Sequence, residues 1–226
     1  MKWFVRPALM AALLLTMLSM TDQKKSRVVF FGDSITEAGV KPGGYILKLT
    51  EALQKKGRVA EFELIGSGIG GNKVYDLLAR MEGDVLSKSP DVVVIYVGVN
   101  DVWHKASFGT GTDPDKFEKF YTAIIKKLQE KKIRVVLTTP AAIGEKTDHS
   151  NQQDGDLNHY SGIIRRLAAT HNCGLVDLRK TFLAYNLKNN PENKASGILT
   201  TDRVHLNETG NTLVAEQMLE ALVSSK

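Results

Sequence analysis

The 226-residue chain has a single cysteine, Cys173, so no intrachain disulfide can staple it and its stability must come from packing, even in an oxidising compartment. Cys173 is expected beside strand residues. Paired cysteines and an H-E-x-x-H pattern are lacking, and His104, His149, His159 and His171 are dispersed, so the sequence offers no ligand cluster for a metal. Internal repeats and low-complexity stretches are also lacking, which argues against a solenoid or a disordered chain. Excess charge of one sign is small: the formal net charge is +5 and the lysines are scattered. Lys55-Lys56 and Lys131-Lys132 fall near expected helix ends, where cations complement the helix dipole, so they do not point to nucleic acid as a partner.

Long apolar runs are scarce as well, with one exception at the start. Lys2 and Arg6 precede an apolar run from Ala8 to Met20, which has the charged and hydrophobic regions of a signal peptide and is too short to span a bilayer comfortably. A buried first helix fits less well, because the run lacks polar alternation and the polar residues 21–25 separate it from the first strand-like segment. We expect 1–22 to be a signal peptide and 23–226 to be the working domain, secreted or periplasmic. Met17, Leu18, Ser19 and Met20 do not make an A-x-A cleavage pattern, so an uncleaved N-terminal anchor, the one route to stable membrane association, stays open. No cysteine follows the run to carry a lipid. Removal of Lys2 and Arg6 lowers the net charge from +5 to about +3.

The body is 42% hydrophobic and 24% charged, and its length suits one α/β core. Five β-rich segments can be read: Arg27 to Phe31, Glu61 to Ile65, Asp91 to Val97, Ile133 to Thr138 and Gly174 to Asp177. The run from Val92 to Val97 lacks in/out alternation, as a central parallel strand covered on both faces would. Amphipathic stripes lie between the strands: Ile46, Leu49 and Leu53; Phe117, Phe120, Tyr121, Ile124, Ile125 and Leu128; and Val214, Met218, Ala221 and Leu222. Alternating strands and helices predict right-handed crossovers and a flavodoxin-like, three-layer α/β/α fold with a five-stranded parallel sheet of order 2-1-3-4-5. In such sheets ligands bind beyond the carboxyl ends of the strands, so the residues after each strand carry the most information.

The first strand runs into Gly32-Asp33-Ser34, a serine in a tight turn. The second leads to Gly66-Ser67-Gly68-Ile69-Gly70-Gly71-Asn72, where glycines let the backbone approach a ligand. The third leads to Gly98-Val99-Asn100-Asp101, whose Asn100 can offer an amide N–H. Ahead of the last helix stands Asp202-Arg203-Val204-His205, a spacing that can set a carboxylate against one imidazole nitrogen and leave the other free. Each block alone has an ordinary structural reading: Asp33-Ser34 and Asn100-Asp101 as helix caps, the glycines as a connector, His205 as a core histidine.

In this order, and after these elements, the four blocks resemble those of the SGNH/GDSL hydrolases over nearly all of the chain from Val28 onward. One departure is Ile35, a packing position where the name-giving motif has leucine. The resemblance implies the fold of that family and a serine esterase needing no cofactor or metal, with Ser34 as nucleophile, His205 as general base and Asp202 orienting it. It also implies an oxyanion hole made of the Ser34 and Gly71 N–H groups and the Asn100 amide, and activity that rises through pH 6 to 7 as His205 loses its proton. Gly71 is favoured over Gly70 because it directly precedes Asn72. Relatives include lipases, lysophospholipases, thioesterases and transferases, so substrate is less constrained than chemistry.

The second block also fits G-x-G-x-x-G, but a dinucleotide fingerprint belongs in the first βα turn, and its acidic partner should close the following strand, whereas Asp91 opens one. A non-catalytic carbohydrate-binding protein would have no use for Ser34, Asp202 and His205 together. Asp33, Trp103 and His104 are expected at the substrate. Irregular segments near Phe108 to Thr112, Glu145 to Asp156 and Asn186 to Ser196 are expected to set specificity. Aromatic and polar loops without a long apolar lid suit a short-acyl or acetyl ester, carried on a small molecule or a carbohydrate.

Overall fold

A computed structural model of the protein describes residues 24–224. The leader expected over 1–22 lies outside them. Among the described residues no helix is long and apolar enough to cross a membrane.

Five parallel strands, β1 (Ser26–Gly32), β2 (Phe62–Gly68), β3 (Val92–Tyr96), β4 (Arg134–Thr138) and β5 (Gly174–Val176), form a sheet of order β2-β1-β3-β4-β5. The expected order and segments hold to within a few residues; β2 runs three residues further than its apolar pattern, through Gly66-Ser67-Gly68. Strands β1 and β3 are central, and Val28 to Phe31 are buried, as are all five residues of β3. That explains their unbroken apolar runs, since helices cover both faces.

The helices are α1 (Ser34–Gly39), α2 (Tyr45–Lys55), α3 (Val74–Asp84), α4 (Val99–Phe108), α5 (Pro114–Glu130), α6 (Asp154–Thr170), α7 (Leu178–Asn189) and α8 (Glu208–Val223). Helix α2 packs on α8, while α5 packs on α3 and α6, giving two helical layers around the sheet. The stripes read from the sequence make these contacts. Ile46, Leu49 and Leu53 are buried on α2, Phe117, Tyr121, Ile124, Ile125 and Leu128 on α5, and Val214, Met218 and Leu222 on α8. Each fully buried leucine contributes about 2 kcal/mol of transfer free energy. Phe120 and Ala221 flank the core, as does Cys173, whose thiol burial pushes up to about 11.

Register determines where a site can lie. Gly32 pairs with Gly68 on one side and Tyr96 on the other, and Tyr96 pairs with Thr138, so β1 to β4 end at one level. The neighbours of β1 are reached by connections running in opposite directions, which opens a crevice at that rim.

Candidate active site

Backbone geometry puts Ser34 in place. Asp33 is the N-cap of α1, its Oδ1 accepting from the Ile35 N–H at 3.0 Å, and Ser34 is the first helical residue, half-buried at the rim. Asp33 itself is 1% exposed. The residue expected at the substrate is thus an enclosed cap of α1. Its Oδ2 is buried with no hydrogen-bond partner among the described residues. Burial pushes its carboxyl up to about 7, with the nearby Asp101 charge adding to the rise and the Ile35 N–H and His205 opposing it.

Asp202 and His205 reach the same point from the other end of the chain. Ser34 Oγ lies 3.0 Å from His205 Nε2, across 171 residues of sequence, and His205 Nδ1 lies 2.7 Å from Asp202 Oδ2. The second carboxylate oxygen accepts from the backbone N–H groups of His205 at 2.8 Å and Val204 at 3.1 Å, so the D-x-x-H turn aims its own carboxylate at the ring. Partial burial works against the charge on Asp202, but these hydrogen bonds outweigh it and hold the carboxyl below the usual range. With Nδ1–H donated to Asp202, Nε2 is left as the acceptor for the serine proton.

Two supports of this arrangement carry no local motif. Glu145, 1% exposed, accepts backbone N–H bonds from Ile198 at 2.8 Å and from Leu199 and Thr200 at 2.7 Å. The segment it grips leads into a turn closed by Thr201 N–H to His205 O at 2.8 Å and by the Thr200–Leu206 bridge. On the nucleophile side, Arg80 of α3 donates to Gly32 O at 2.8 Å, Ser67 O at 3.1 Å and Asn72 Oδ1 at 2.7 Å while stacking on Phe31. One guanidinium thereby ties the ends of β1 and β2 to the glycine loop. A buried acid and a long cation are the signals that could have drawn notice, but both sit in segments read as loop or helix surface.

The two glycines of the loop differ in whether their N–H groups are engaged. Gly70 N–H is taken by Glu37 Oε2 at 2.7 Å, whereas Gly71, at φ +76°, has its N–H in no hydrogen bond between described residues. Asn100, 2% exposed, donates from Nδ2 to Asn72 O at 3.1 Å, which joins the third block to the second. Next to it, buried Asp101 accepts from Val74 N–H at 3.2 Å, and burial pushes its carboxyl up to about 6. Trp103 and His104 lie on α4, ahead of the loop at 109–112. The Trp103 ring meets that of His205 edge-on at 6.3 Å, and His104 Cε1 lies 3.9 Å from where a Cβ on Gly71 would be. Trp103 thus borders the His205 ring and His104 the glycine turn, and Phe108, packed on His104 and 66% exposed, extends this wall outward. Burial, with Lys73 nearby, lowers the pKa of His104 and so favours its neutral form.

Among the described residues no group of three or more His, Cys, Asp or Glu could hold a metal ion. A serine hydrogen-bonded to an imidazole that is itself held by a carboxylate, at a rim with a glycine turn and a buried amide, can perform acyl transfer.

Known proteins agree with this chemistry. The model of the GDSL-like lipase/acylhydrolase family matches residues 30–213. The crystal structure of an acetyl xylan esterase, AlAXEase, is 70% identical with a TM-score of 0.86, covering 87% of this chain and 100% of that one. An acetylxylan esterase of Geobacillus stearothermophilus is 27% identical over 214 residues, 87% of this chain and 93% of its own. The isoamyl acetate-hydrolyzing esterase of Schizosaccharomyces pombe is 24% identical over 204 residues, 88% of this chain and 77% of its own. The chain thus belongs to the GDSL-like lipase/acylhydrolase family, with the SGNH-hydrolase fold, and is a carboxylic ester hydrolase.

Proposed function

We propose that this esterase removes acetyl groups from carbohydrate through an acyl-enzyme on Ser34. The observation that carries the mechanism is the continuous contact from Ser34 Oγ through the His205 ring to Asp202, at 3.0 and 2.7 Å. As Ser34 Oγ bonds to the acetyl carbonyl carbon, its proton passes to His205 Nε2, and Asp202 stabilises the imidazolium that forms. The carbonyl oxygen becomes an oxyanion held by the Ser34 and Gly71 N–H groups and the Asn100 amide. Collapse breaks the ester C–O bond, and His205 returns the proton to the departing sugar hydroxyl. Water then attacks the acetyl-serine, giving its proton to His205, and acetate leaves as the proton returns to Ser34 Oγ.

The substrate is supported by the two relatives described as acetyl xylan esterases and by walls that suit it. Trp103 and Phe108 offer faces for a sugar ring. A substrate outside the cell also suits export through the segment at 1–22. The test is a hydrolysis panel from p-nitrophenyl acetate through longer acyl esters to acetylated xylo-oligosaccharides, with Ser34→Ala as control. Acetylated xylo-oligosaccharides should be turned over and rates should fall with acyl length. A preference for long chains would reject the carbohydrate reading and favour a lysophospholipase or thioesterase. Undiminished activity in Ser34→Ala would reject the mechanism.

A further inference from the structure

A polar cavity of about 290 Å³ is lined by Arg203, the residue after Asp202, together with Lys146, Ser150, Gln152 and Gln153 among others, with no carboxylate in its wall. Two bonds join it to the catalytic rim. Arg203 directly follows Asp202, and its carbonyl accepts from Gly144 N–H at 2.9 Å; Gln153 Nε2 donates to Val102 O at 3.2 Å, one residue before Trp103. A substrate seated at Ser34 with a branch or neighbouring unit in this cavity would touch both sites.

The charge of the cavity is what selects its ligand. Neither Lys146 nor Arg203 has an ion-pair partner among the described residues, and the carboxylates nearby are already engaged. Asp154 is held by Arg179 at 2.6 Å and by Asn151 at 3.0 Å, and Asp202 by His205. Asp148, which feels the Lys146 charge, accepts from Ser150 N–H at 3.0 Å and Asn193 Nδ2 at 2.6 Å. Arg203 also sits at φ +85°, a region that non-glycine residues rarely adopt, with its N–H held by Thr200 Oγ1 at 3.1 Å. The turn therefore holds a large cation at the cavity in a conformation that glycine would adopt more easily.

We infer that this cavity is a subsite for the carboxylate of a uronic acid unit on the same oligosaccharide as the acetyl ester, bound by Arg203 and Lys146. Gln152 is placed to bond the hydroxyls of that sugar. Arg203 and Lys146 both line this polar hollow and can recognise a carboxylate by charge-assisted hydrogen bonds, which a neutral sugar does not offer. The inference rests on the carbohydrate esterase reading above and deepens it.

The test compares kcat/KM for acetylated xylo-oligosaccharides of equal length with and without a glucuronic acid side group. The uronate-bearing substrate should be favoured on the order of tenfold at low salt, and the ratio should fall toward one in Lys146→Gln and Arg203→Gln. Arg203→Lys, which keeps the charge beside Asp202, should retain more of the ratio than Arg203→Gln. Equal loss in both would mean a disturbed turn and would overturn the subsite. So would equal kcat/KM for the two substrates in the unaltered enzyme, with the carbohydrate reading left standing. If p-nitrophenyl acetate is cleaved and neither oligosaccharide is, the carbohydrate reading fails and the subsite with it. Calorimetric titration of the Ser34→Ala protein with a glucuronic acid-substituted xylo-oligosaccharide should show binding that weakens with salt and with Lys146→Gln. No difference from the unsubstituted oligosaccharide would refute the inference without recourse to turnover.

Discussion

Asp33 is an acid held where its charge is poorly tolerated, and replacing it by asparagine isolates that cost. Burial raises its carboxyl from an ordinary 3.8 to about 7 in the folded protein, while the unfolded chain keeps the ordinary value. Well below pH 3.8 the side chain is neutral in both states and adds nothing. As pH rises from about 4 to about 7 the unfolded chain gives up its proton first, so the folded state progressively loses stability. Above about 7 the loss is complete and constant. One pH unit of separation corresponds to about 1.4 kcal/mol, so the full penalty is on the order of 4 kcal/mol. The asparagine side chain would keep the oxygen that caps α1 through the Ile35 N–H, and it cannot ionise. Asp101, which also titrates high, adds to the rise at Asp33, so part of the gain is relief of that repulsion. Urea unfolding of the two proteins, followed by far-UV circular dichroism between about pH 4 and 8, should show Asp33→Asn gaining about 3 to 4 kcal/mol relative to the parent across that range. A difference that stays constant within about 1 kcal/mol would mean that Asp33 ionises normally, and the argument from its buried, unpartnered oxygen would be wrong.

Other perturbations test separate parts of the site. Ser34→Ala should lower kcat on p-nitrophenyl acetate by at least about a thousandfold with folding intact by circular dichroism. Asn100→Ala removes one proposed oxyanion donor and should cost about 3 to 4 kcal/mol of barrier, a hundredfold or more in kcat, with KM changing far less. Glu145→Gln turns an N–H donor toward the backbone donors of the segment it grips and should destabilise the fold by about 1 to 3 kcal/mol in urea unfolding, with a fall in kcat. If the leader is cleaved on export, mass spectrometry of protein from the culture medium or periplasm should find a mature chain beginning near residue 23.

The sheet was legible because its central strands are buried on both sides, which leaves Val92 to Val97 without polar interruption, and because amphipathic stripes such as Ile46, Leu49 and Leu53 mark the helices between them. The four blocks were legible because each follows a strand or precedes a helix, where small and polar residues stand out against apolar runs. Burial at the rim was not legible. Asp33 reads in sequence as a helix cap beside a serine, and only the packing of α1 on β2 shows that it is an enclosed acid. Glu145 and Arg80 escaped for a related reason, because the bonds by which they hold the site run largely to backbone groups distant in sequence, which leave no residue-type signature.

These two residues also explain how a site assembled across 171 residues keeps its geometry. The nucleophile belongs to a unit made of the ends of β1 and β2 with the glycine loop, and Arg80 grips all three. The acid–base pair belongs to a different unit, the turn from Thr200 to Leu206, which Glu145 fixes through the segment just before it. Between the units the reactive contact is the 3.0 Å hydrogen bond from Ser34 to His205, and both of those side chains are only half-buried. A single hydrogen bond contributes about 1 kcal/mol net, too little to align two mobile segments against the entropy of ordering them. The alignment must therefore be built into each unit before they meet, and Arg80 and Glu145 supply it.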